Sequence, residues 1–170
     1  MSFTLWLDKF LDQPANEVLQ AANQAQKIRL DDLRVFDLLF DGAEPIYFGV
    51  YLFYSAGGEC LRVGKNSSQT FVQRLPWHLS VWEHSWMNYL LTDIQKDEQI
   101  HSLRDAAEIA RNHSLLLFHV HRLQGTTISR LEKFFRVFAV PKYNAYRESY
   151  RKRYAGVDLR APLTDVLNRL

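Results

Sequence analysis

Two stretches of the 170-residue chain carry the side chains best suited to chemistry on an anion. The first runs from Tyr47 to His78 and supplies a phenol, an imidazole and three cations, namely Tyr51, Arg62, Lys65, Arg74 and His78. The second runs from Leu131 to Asn144 and adds a carboxylate, Glu132. Cationic side chains bind phosphate oxygens, and a carboxylate can hold a hard divalent cation. The sequence therefore predicts that the two stretches meet around a phosphate.

A predicted β-hairpin positions the first groups of the Tyr47–His78 stretch. The segment IYFGVYLFYS is aromatic and β-branched, AGGE is a turn, and CLRVG is a second strand. The bend is expected at Gly57-Gly58. Tyr51 and Arg62 then lie on neighbouring strands.

A helix is predicted to follow the hairpin and to carry Arg74. It should begin near Ser67 or Ser68, because either side chain can cap a helix. Pro76 within a helix costs about 3 kcal/mol, so the helix should end or kink around Leu75. Further on, LRDAAEIARN within residues 97–112 predicts another helix.

Glu132 lies on a predicted amphipathic helix that follows a strand at residues 114–123 (SLLLFHVHRL). The helix ends at Pro141. Its apolar side chains recur with the 3.6-residue helical period: Ile128, Leu131, Phe134, Phe135 and Phe138.

Residues 1–46 are predicted to form a helical N-terminal extension to a domain at residues 47–170. Helical spacing or composition predicts helices at residues 2–12, 16–27 and 30–40. Asp41-Gly42 and Pro45 interrupt the helical pattern, so the junction between extension and domain is expected at residues 41–46. The extension carries four basic and eight acidic residues, so within a total net charge of +2 the remainder is +6. Contact with a polyanion is therefore expected from residues 47–170.

The composition is that of a protein with one well-packed core. Apolar residues make up 47% of the chain, and glycine and proline are few. No apolar run reaches the roughly 18 residues of a membrane span, and no signal peptide is evident, so a soluble cytoplasmic protein with no membrane partner is expected. The single cysteine, Cys60, is expected to be a buried reduced thiol.

An ordered set of short motifs resembles the GIY-YIG nuclease superfamily. The set comprises Gly49-Val50-Tyr51, Arg62-Val63-Gly64-Lys65, Arg74 with His78, Glu132, and Pro141-Lys142-Tyr143-Asn144. Each motif alone is weak, and the order of the set carries the resemblance, which covers residues 47–144. It implies an α+β fold with a small antiparallel three-stranded sheet flanked by helices.

The resemblance also implies roles for the site residues in phosphodiester hydrolysis. Glu132 would hold a single Mg²⁺ or Mn²⁺. Tyr51 would orient or deprotonate the attacking water, and Arg74 would grip the scissile phosphate in bidentate fashion. His78 and Lys65 would assist the transfer or touch the nucleic-acid backbone, and Asn144 would tie the active-site elements together.

Arg62 stands where the family has its second signature tyrosine. An arginine stays protonated and cannot act as a base, although it can bind phosphate or lower the pKa of Tyr51. Two extra residues also separate Gly64 from Arg74. Activity with altered roles and a lapsed site are both compatible with these departures.

Several other groups have a functional and a structural interpretation. The segment 142–154 mixes tyrosines with cations that could track phosphates or form a solvated basic face: Lys142, Arg147, Arg151, Lys152 and Arg153. Trp77, Trp82 and Trp86 could stack on bases or pack in the core. His119 and His121 share a strand face, but no nearby carboxylate or thiol completes a metal site.

Three hypotheses follow from the sequence. The first is a metal-dependent DNA endonuclease acting on branched, damaged or other DNA. The second is a nucleic-acid-binding module with a lapsed nuclease site. The third is a protein-interaction domain in which residues 1–46 dock a partner or a second copy.

Overall fold

A computed structural model describes residues 2–121 and 125–170, and its architecture is α+β. The strands in chain order are β1 (Thr4–Trp6), β2 (Ile28–Arg29), β3 (Phe40–Asp41), β4 (Glu44–Pro45), β5 (Phe48–Tyr54), β6 (Cys60–Asn66) and β7 (Ser114–Val120). The main sheet has the order β1-β7-β5-β6, with β2 also paired to β7. Strands β3 and β4 form a separate two-stranded pair.

The three long strands confirm the predicted hairpin and the predicted strand before the Glu132 helix. β5 pairs antiparallel with β6 on one side and with β7 on the other. Residues 122 and 123 of the predicted strand lie outside the described residues. The expected three-stranded antiparallel sheet is nevertheless wrong in extent, because the sheet has five strands and is mixed: β1 joins β7 in parallel.

The predicted helix at residues 2–12 is wrong. Residues 4–6 form β1, and a 3₁₀ turn follows at Leu7–Lys9. Leu5 packs in the core on one face of the sheet and Trp6 in the core on the other, which is the alternation of a strand. In so short a segment the apolar spacing fits both the helical period of 3.6 residues and the strand period of two. Pairing with β7 makes the segment a strand.

Of the two other helices predicted in the N-terminal segment, one is confirmed and one is wrong. The helix predicted at 16–27 is confirmed as α1 (Ala15–Gln24). The helix predicted at 30–40 is wrong, since a 3₁₀ helix at Val35–Leu38 leads into β3 and β4. Residues 1–46 thus contribute β1 and β2 to the main sheet.

Helices cover both faces of the sheet. The others are α2 (Phe71–His78), α3 (Tyr89–Asp97), α4 (Leu103–Ala110), α5 (Gly125–Phe138), α6 (Glu148–Arg151) and α7 (Leu163–Asn168). α1, α5 and α7 pack with Val50, Leu52 and Phe118 on one face, and α2, α3 and α4 pack with Phe53 and Leu117 on the other. Within the described ranges, every helix is too short or too polar to cross a membrane.

The helix that carries Arg74 begins later and ends later than predicted. Thr70, not a serine, precedes it, and the Gln73 side chain accepts a hydrogen bond from the Thr70 backbone N–H. The helix also continues through Pro76 to His78. In a helix of eight residues Pro76 sits in the last turn, where little of the hydrogen-bond ladder depends on it.

Gly49 provides a direct test of the sheet. Its φ is +149°, and a Cβ there would lie 1.8 Å from the Phe118 carbonyl oxygen of β7. Gly49→Ala should therefore lower the free energy of unfolding by more than about 3 kcal/mol or prevent folding. Gly57→Ala, whose added methyl would come no nearer than 3.7 Å to the Ser55 hydroxyl, should change it by less than about 1 kcal/mol. Equal denaturation midpoints for the two variants would contradict the β5–β7 pairing.

Candidate active site

Tyr51 and Gly64 form the central pair of the site. They lie opposite each other on β5 and β6, and the Tyr51 ring crosses directly over Gly64. A Cβ at position 64 would come within 2.3 Å of the Tyr51 Cζ and Oη atoms. The glycine of the Arg62-Val63-Gly64 motif is therefore required sterically, because any side chain there would displace the phenol.

His78 fixes the position of the Tyr51 hydroxyl. The Tyr51 Oη and His78 Nε2 atoms are 2.7 Å apart, and both side chains are buried. Burial lowers the pKa of His78 to about 3, and the charges of Arg62 and Arg74 act in the same direction. The imidazole is therefore neutral at pH 7. Burial also raises the pKa of Tyr51, which leaves a neutral phenol.

Arg74 lies one helical turn before His78 on α2 and faces the same region. Its Nη1 donates to the Met87 sulfur at 3.0 Å. Its Nε is buried and has no hydrogen-bond partner within residues 2–121 and 125–170. A buried guanidinium N–H without a partner is costly, so this donor is suited to an anionic acceptor.

A small polar pocket adjoins Arg74 at the junction of β6 and α2. Its volume is about 190 Å³, and it is lined by Lys65, Asn66, Ser67, Ser68, Gln69 and Arg74. Two cations and several hydrogen-bond donors line it, and none of these lining side chains is acidic. The pocket has room for a phosphate group, and its cationic lining suits one.

Arg62 is engaged by a carboxylate that the sequence analysis did not single out. It forms an ion pair with Asp93 of α3, and its guanidinium lies 5.0 Å from the centre of the Tyr89 ring. The Arg62 side chain is only 15% exposed. Burial raises the pKa of Asp93 and the Arg62 charge opposes that rise. Arg62 is thus held beside the site by Asp93.

Glu132 reaches the site from α5, on the other face of the sheet. The nearest cations to its carboxylate oxygens are Lys65 Nζ at 3.4 Å and Arg136 Nη1 at 3.8 Å. Lys65 also donates to the Ser129 hydroxyl at 2.9 Å. The carboxylate is 17% exposed. Glu132 therefore lies within a set of cations and is held by two long ion pairs.

The charges around Tyr51 indicate that these elements converge. Arg74 and Arg62 each favour ionisation of the Tyr51 phenol, and Glu132 opposes it. Charges act appreciably on a buried group only when they are near it. Lys65 of the edge strand β6 lines the pocket with Arg74 of α2 and lies 3.4 Å from Glu132 of α5, so β6 brings these groups to one region although α2 and α5 lie on different faces of the sheet.

Asn144 has a structural position beside this region. Its side chain accepts from the Val63 N–H at 3.1 Å and donates to the Val63 carbonyl at 2.6 Å. The backbone N–H groups of Lys142 and Tyr143 donate to the carbonyls of Cys60 and Leu61. The segment after α5 thus runs along the outer edge of β6 and closes it. Direct contact of the Asn144 amide with nucleic acid would require these bonds to break.

The basic segment at 142–154 is largely paired within the protein. Lys142 forms an ion pair with Asp97, Lys152 with Glu148, and Arg151 donates to the Tyr146 carbonyl. Arg147, Lys152 and Arg153 are exposed. The tyrosines stack on one another and on the protein's own cations, as in the 4.1 Å distance of Arg136 from the Tyr146 ring.

The predicted metal ligand, Glu132, is not part of a larger group of metal-binding side chains among the described residues. Within the described parts of the chain, no three histidine, cysteine, aspartate or glutamate side chains form a metal-binding group. His119 is buried against Trp6, with ring centroids 4.5 Å apart, and lies 6.5 Å from His121. One carboxylate can suffice for Mg²⁺, which keeps several waters and binds substrate phosphates. Glu132 can therefore hold a metal ion only as a single carboxylate ligand that is completed by waters and substrate phosphates.

Local sequence signals exist for some of the side chains that contact the predicted site residues. An arginine in an apolar strand needs a counter-charge, and Asp93 lies in the helix-forming stretch MNYLLTDI, four residues after Tyr89. Arg136 follows Glu132 by four residues, the spacing of a helical ion pair. No local signal identifies the contact between Arg74 and Met87.

The buried imidazole predicts a specific loss of stability in acid. His78 binds a proton more readily in the unfolded chain than in the folded one, so its contribution to stability is lost as the pH falls from about 6.5 towards 3. Between pH 7 and pH 5 the wild type should lose about 2 kcal/mol more unfolding free energy than His78→Gln does.

The control for this measurement is His101→Gln, which removes an exposed imidazole. Urea denaturation of all three proteins at several pH values checks the prediction. His101→Gln should follow the wild type. If the His78→Gln curve also followed the wild type, the imidazole would not be buried beside Tyr51.

Comparisons with protein-family models, with curated proteins and with solved structures give no significant match for this chain. The resemblance to the GIY-YIG superfamily therefore stays a prediction that rests on the motifs themselves. Tyr51, Arg74 and Glu132, with the edge strand β6 between them, form the candidate site.

Proposed function

We propose that this chain is a metal-dependent endonuclease that hydrolyses DNA phosphodiester bonds in the cytoplasm. The observation that carries the proposal is that Lys65 lines one pocket with Arg74 and lies 3.4 Å from the Glu132 carboxylate, so that groups of three separate elements meet at the edge of β6. A phenol, a guanidinium and a carboxylate beside a cationic pocket are suited to phosphoryl-group hydrolysis.

In the proposed reaction the scissile phosphate binds to Arg74. The unpartnered Nε and the remaining N–H groups of the guanidinium bind its non-bridging oxygens. Lys65, at the mouth of the same pocket, neutralises a neighbouring phosphate. These cations stabilise the charge that accumulates on the phosphoryl oxygens in the transition state.

Tyr51 orients the attacking water. Its raised pKa keeps the proton on the phenol at pH 7, so orientation by hydrogen bonding suits it better than direct proton abstraction. His78 holds the hydroxyl in place from the buried side. Arg62 contributes positive charge nearby and is itself kept in position by Asp93.

Glu132 is the proposed ligand of Mg²⁺ or Mn²⁺. When bound there, the ion supplies charge stabilisation at the leaving oxygen. The present neighbours of the carboxylate, Lys65 and Arg136, lie 3.4 and 3.8 Å away. Lys65 is 37% exposed and can turn towards a DNA phosphate, whereas Arg136 is held by the Asn144 carbonyl and the Tyr146 ring. The exposed Arg147, Lys152 and Arg153 provide further contacts to the DNA backbone.

Replacing Glu132 tests the proposal. Glu132→Gln should lower the rate of plasmid or branched-DNA cleavage in Mg²⁺ or Mn²⁺ by at least about 100-fold. DNA binding at 50 mM salt should stay equal or strengthen, because two cations lose their counter-charge. Gel assays of cleavage and fluorescence anisotropy of binding measure the two effects.

Glu108→Gln is the matched control for that variant. Glu108 is exposed on α4 and pairs with Arg111, so its loss should leave cleavage and binding unchanged. Undiminished cleavage by Glu132→Gln would contradict the assignment of Glu132. A loss of binding without a selective loss of cleavage would do so as well.

A second candidate function is nucleic-acid binding without cleavage. Two observations favour it: Tyr51 is only 1% exposed, and Glu132 is already paired with cations. In this case activity would have been lost when Arg62, which pairs with Asp93, replaced the family's second signature tyrosine.

The double variant Arg62→Tyr/Asp93→Asn separates the two candidates. Changing Arg62 alone would leave the half-buried Asp93 without its partner and destabilise the fold, so the aspartate is replaced too. A working enzyme should lose activity about tenfold or more in the double variant, because Arg62 contributes charge to its site. Gain of cleavage in the double variant would identify a lapsed enzyme. Asp93→Asn alone is the control in the same cleavage assay.

The proposal that residues 1–46 dock a protein partner or a second copy is a separate one. Val35 and Phe36 are 63% and 73% exposed in that segment, which favours a docking surface there. Such docking is compatible with either proposed function of the candidate active site at the edge of β6, which is called the β6 site below.

A further inference from the structure

The three tryptophans Trp77, Trp82 and Trp86 lie on the surface and not in the core. They are 41%, 62% and 70% exposed, and they form what is here termed the tryptophan surface. Large exposed aromatic side chains grouped in one short stretch of chain are uncommon on a protein surface without a binding role. Packing within the protein therefore does not explain them.

Buried side chains and hydrogen bonds anchor the backbone of the loop between α2 and α3, which carries Trp82 and Trp86. Ser85, Met87 and Asn88 of the loop are buried, and the Asn88 side chain donates to the Trp82 carbonyl at 3.4 Å. The Ser85 N–H donates to the same carbonyl at 2.9 Å. The backbone is thus anchored while Trp82 and Trp86 face solvent.

The tryptophan surface adjoins the proposed phosphate site. Trp77 follows Arg74 by three residues on α2, so the two share a face of that helix. Arg74 donates to Met87, the neighbour of Trp86, and Tyr89 at the end of the loop contacts both His78 and Arg62. Trp77 therefore shares a helix face with Arg74, and the loop that carries Trp82 and Trp86 contacts Arg74 through Met87.

Charge indicates which part of a nucleic acid this surface can take. Residues 79–88 include one acid, Glu83, and neither lysine nor arginine. The loop itself does not attract phosphates, whereas Arg74 and Lys65 beside it do. Base faces are uncharged and stack on indole rings, and base faces are free only where a strand is unpaired.

We infer that the tryptophan surface stacks on unpaired bases and makes single-stranded DNA segments the preferred substrate of the β6 site. This inference rests on the proposed function, because Arg74 and Lys65 hold the phosphates of the same strand. It adds a substrate class: strands with unpaired bases, such as flaps, loops or single-stranded gaps.

The test compares two single strands that differ only in their bases. One probe is a fluorescein-labelled 12-nucleotide oligothymidine, and the other is an abasic strand of equal length, which keeps the phosphates. In EDTA at 50 mM salt the full chain should bind oligothymidine at least about tenfold more tightly. Trp82→Ala/Trp86→Ala should reduce this ratio to within about twofold while leaving abasic binding and its salt dependence unchanged.

Trp82→Phe/Trp86→Phe is the conservative control. It keeps aromatic rings and should retain most of the preference for bases, and circular dichroism should report the same fold for every variant. Equal binding of the two probes by the wild type would overturn the inference while leaving phosphate binding, and hence the proposed function, standing. If Trp82→Ala/Trp86→Ala kept the preference for oligothymidine over the abasic strand, the inference would likewise be overturned and phosphate binding would stand.

Two further outcomes distinguish this inference from neighbouring ideas. Negligible DNA binding, together with self-association that the double alanine variant abolishes, would overturn the inference and identify a protein interface. A preference for bases that depends on the tryptophans, with no cleavage of any strand in Mg²⁺ or Mn²⁺, would support the inference and count against the proposed nuclease activity alone.

Discussion

The contact of the Tyr51 ring with the backbone of Gly64 determines the layout of the candidate site. Because position 64 has no side chain, the phenol can lie across β6 at the edge of the sheet. There its hydroxyl meets His78 of α2, and one turn away on that helix is Arg74. A larger residue at position 64 would displace the phenol and, with it, the docking of α2.

The edge strand also explains how one site draws on both faces of the sheet. Arg62 and Tyr51 lie with α2 and α3 on one face, and Lys65 and Glu132 lie with α5 on the other. The segment at 142–144 closes the outer edge of β6 through its backbone and the Asn144 side chain. The result is a cluster rich in cations, with Asp93 and Glu132 as counter-charges, which favours binding of an anion.

The parts of the fold that could be predicted are those set by local sequence. The β5–β6 hairpin and α5 follow from long runs with a clear period and obvious turns. β1 could not be predicted, because three residues carry no period and only pairing with β7 makes them a strand. The pairing of Arg62 with Asp93 and the exposure of Trp82 and Trp86 depend on tertiary packing, which residue type alone does not report.

The central claim is that Tyr51, which orients the attacking water, and Arg74, which binds the scissile phosphate, act as one unit. The most direct measurement is the single-turnover cleavage rate of plasmid DNA in Mg²⁺ or Mn²⁺ for Tyr51→Phe, Arg74→Lys and the double variant. Each single change should reduce the rate by at least about 100-fold, and the double change should cost little more, since groups that act together are not additive. Losses that simply multiply, or a wild type that cleaves no DNA, would contradict the account.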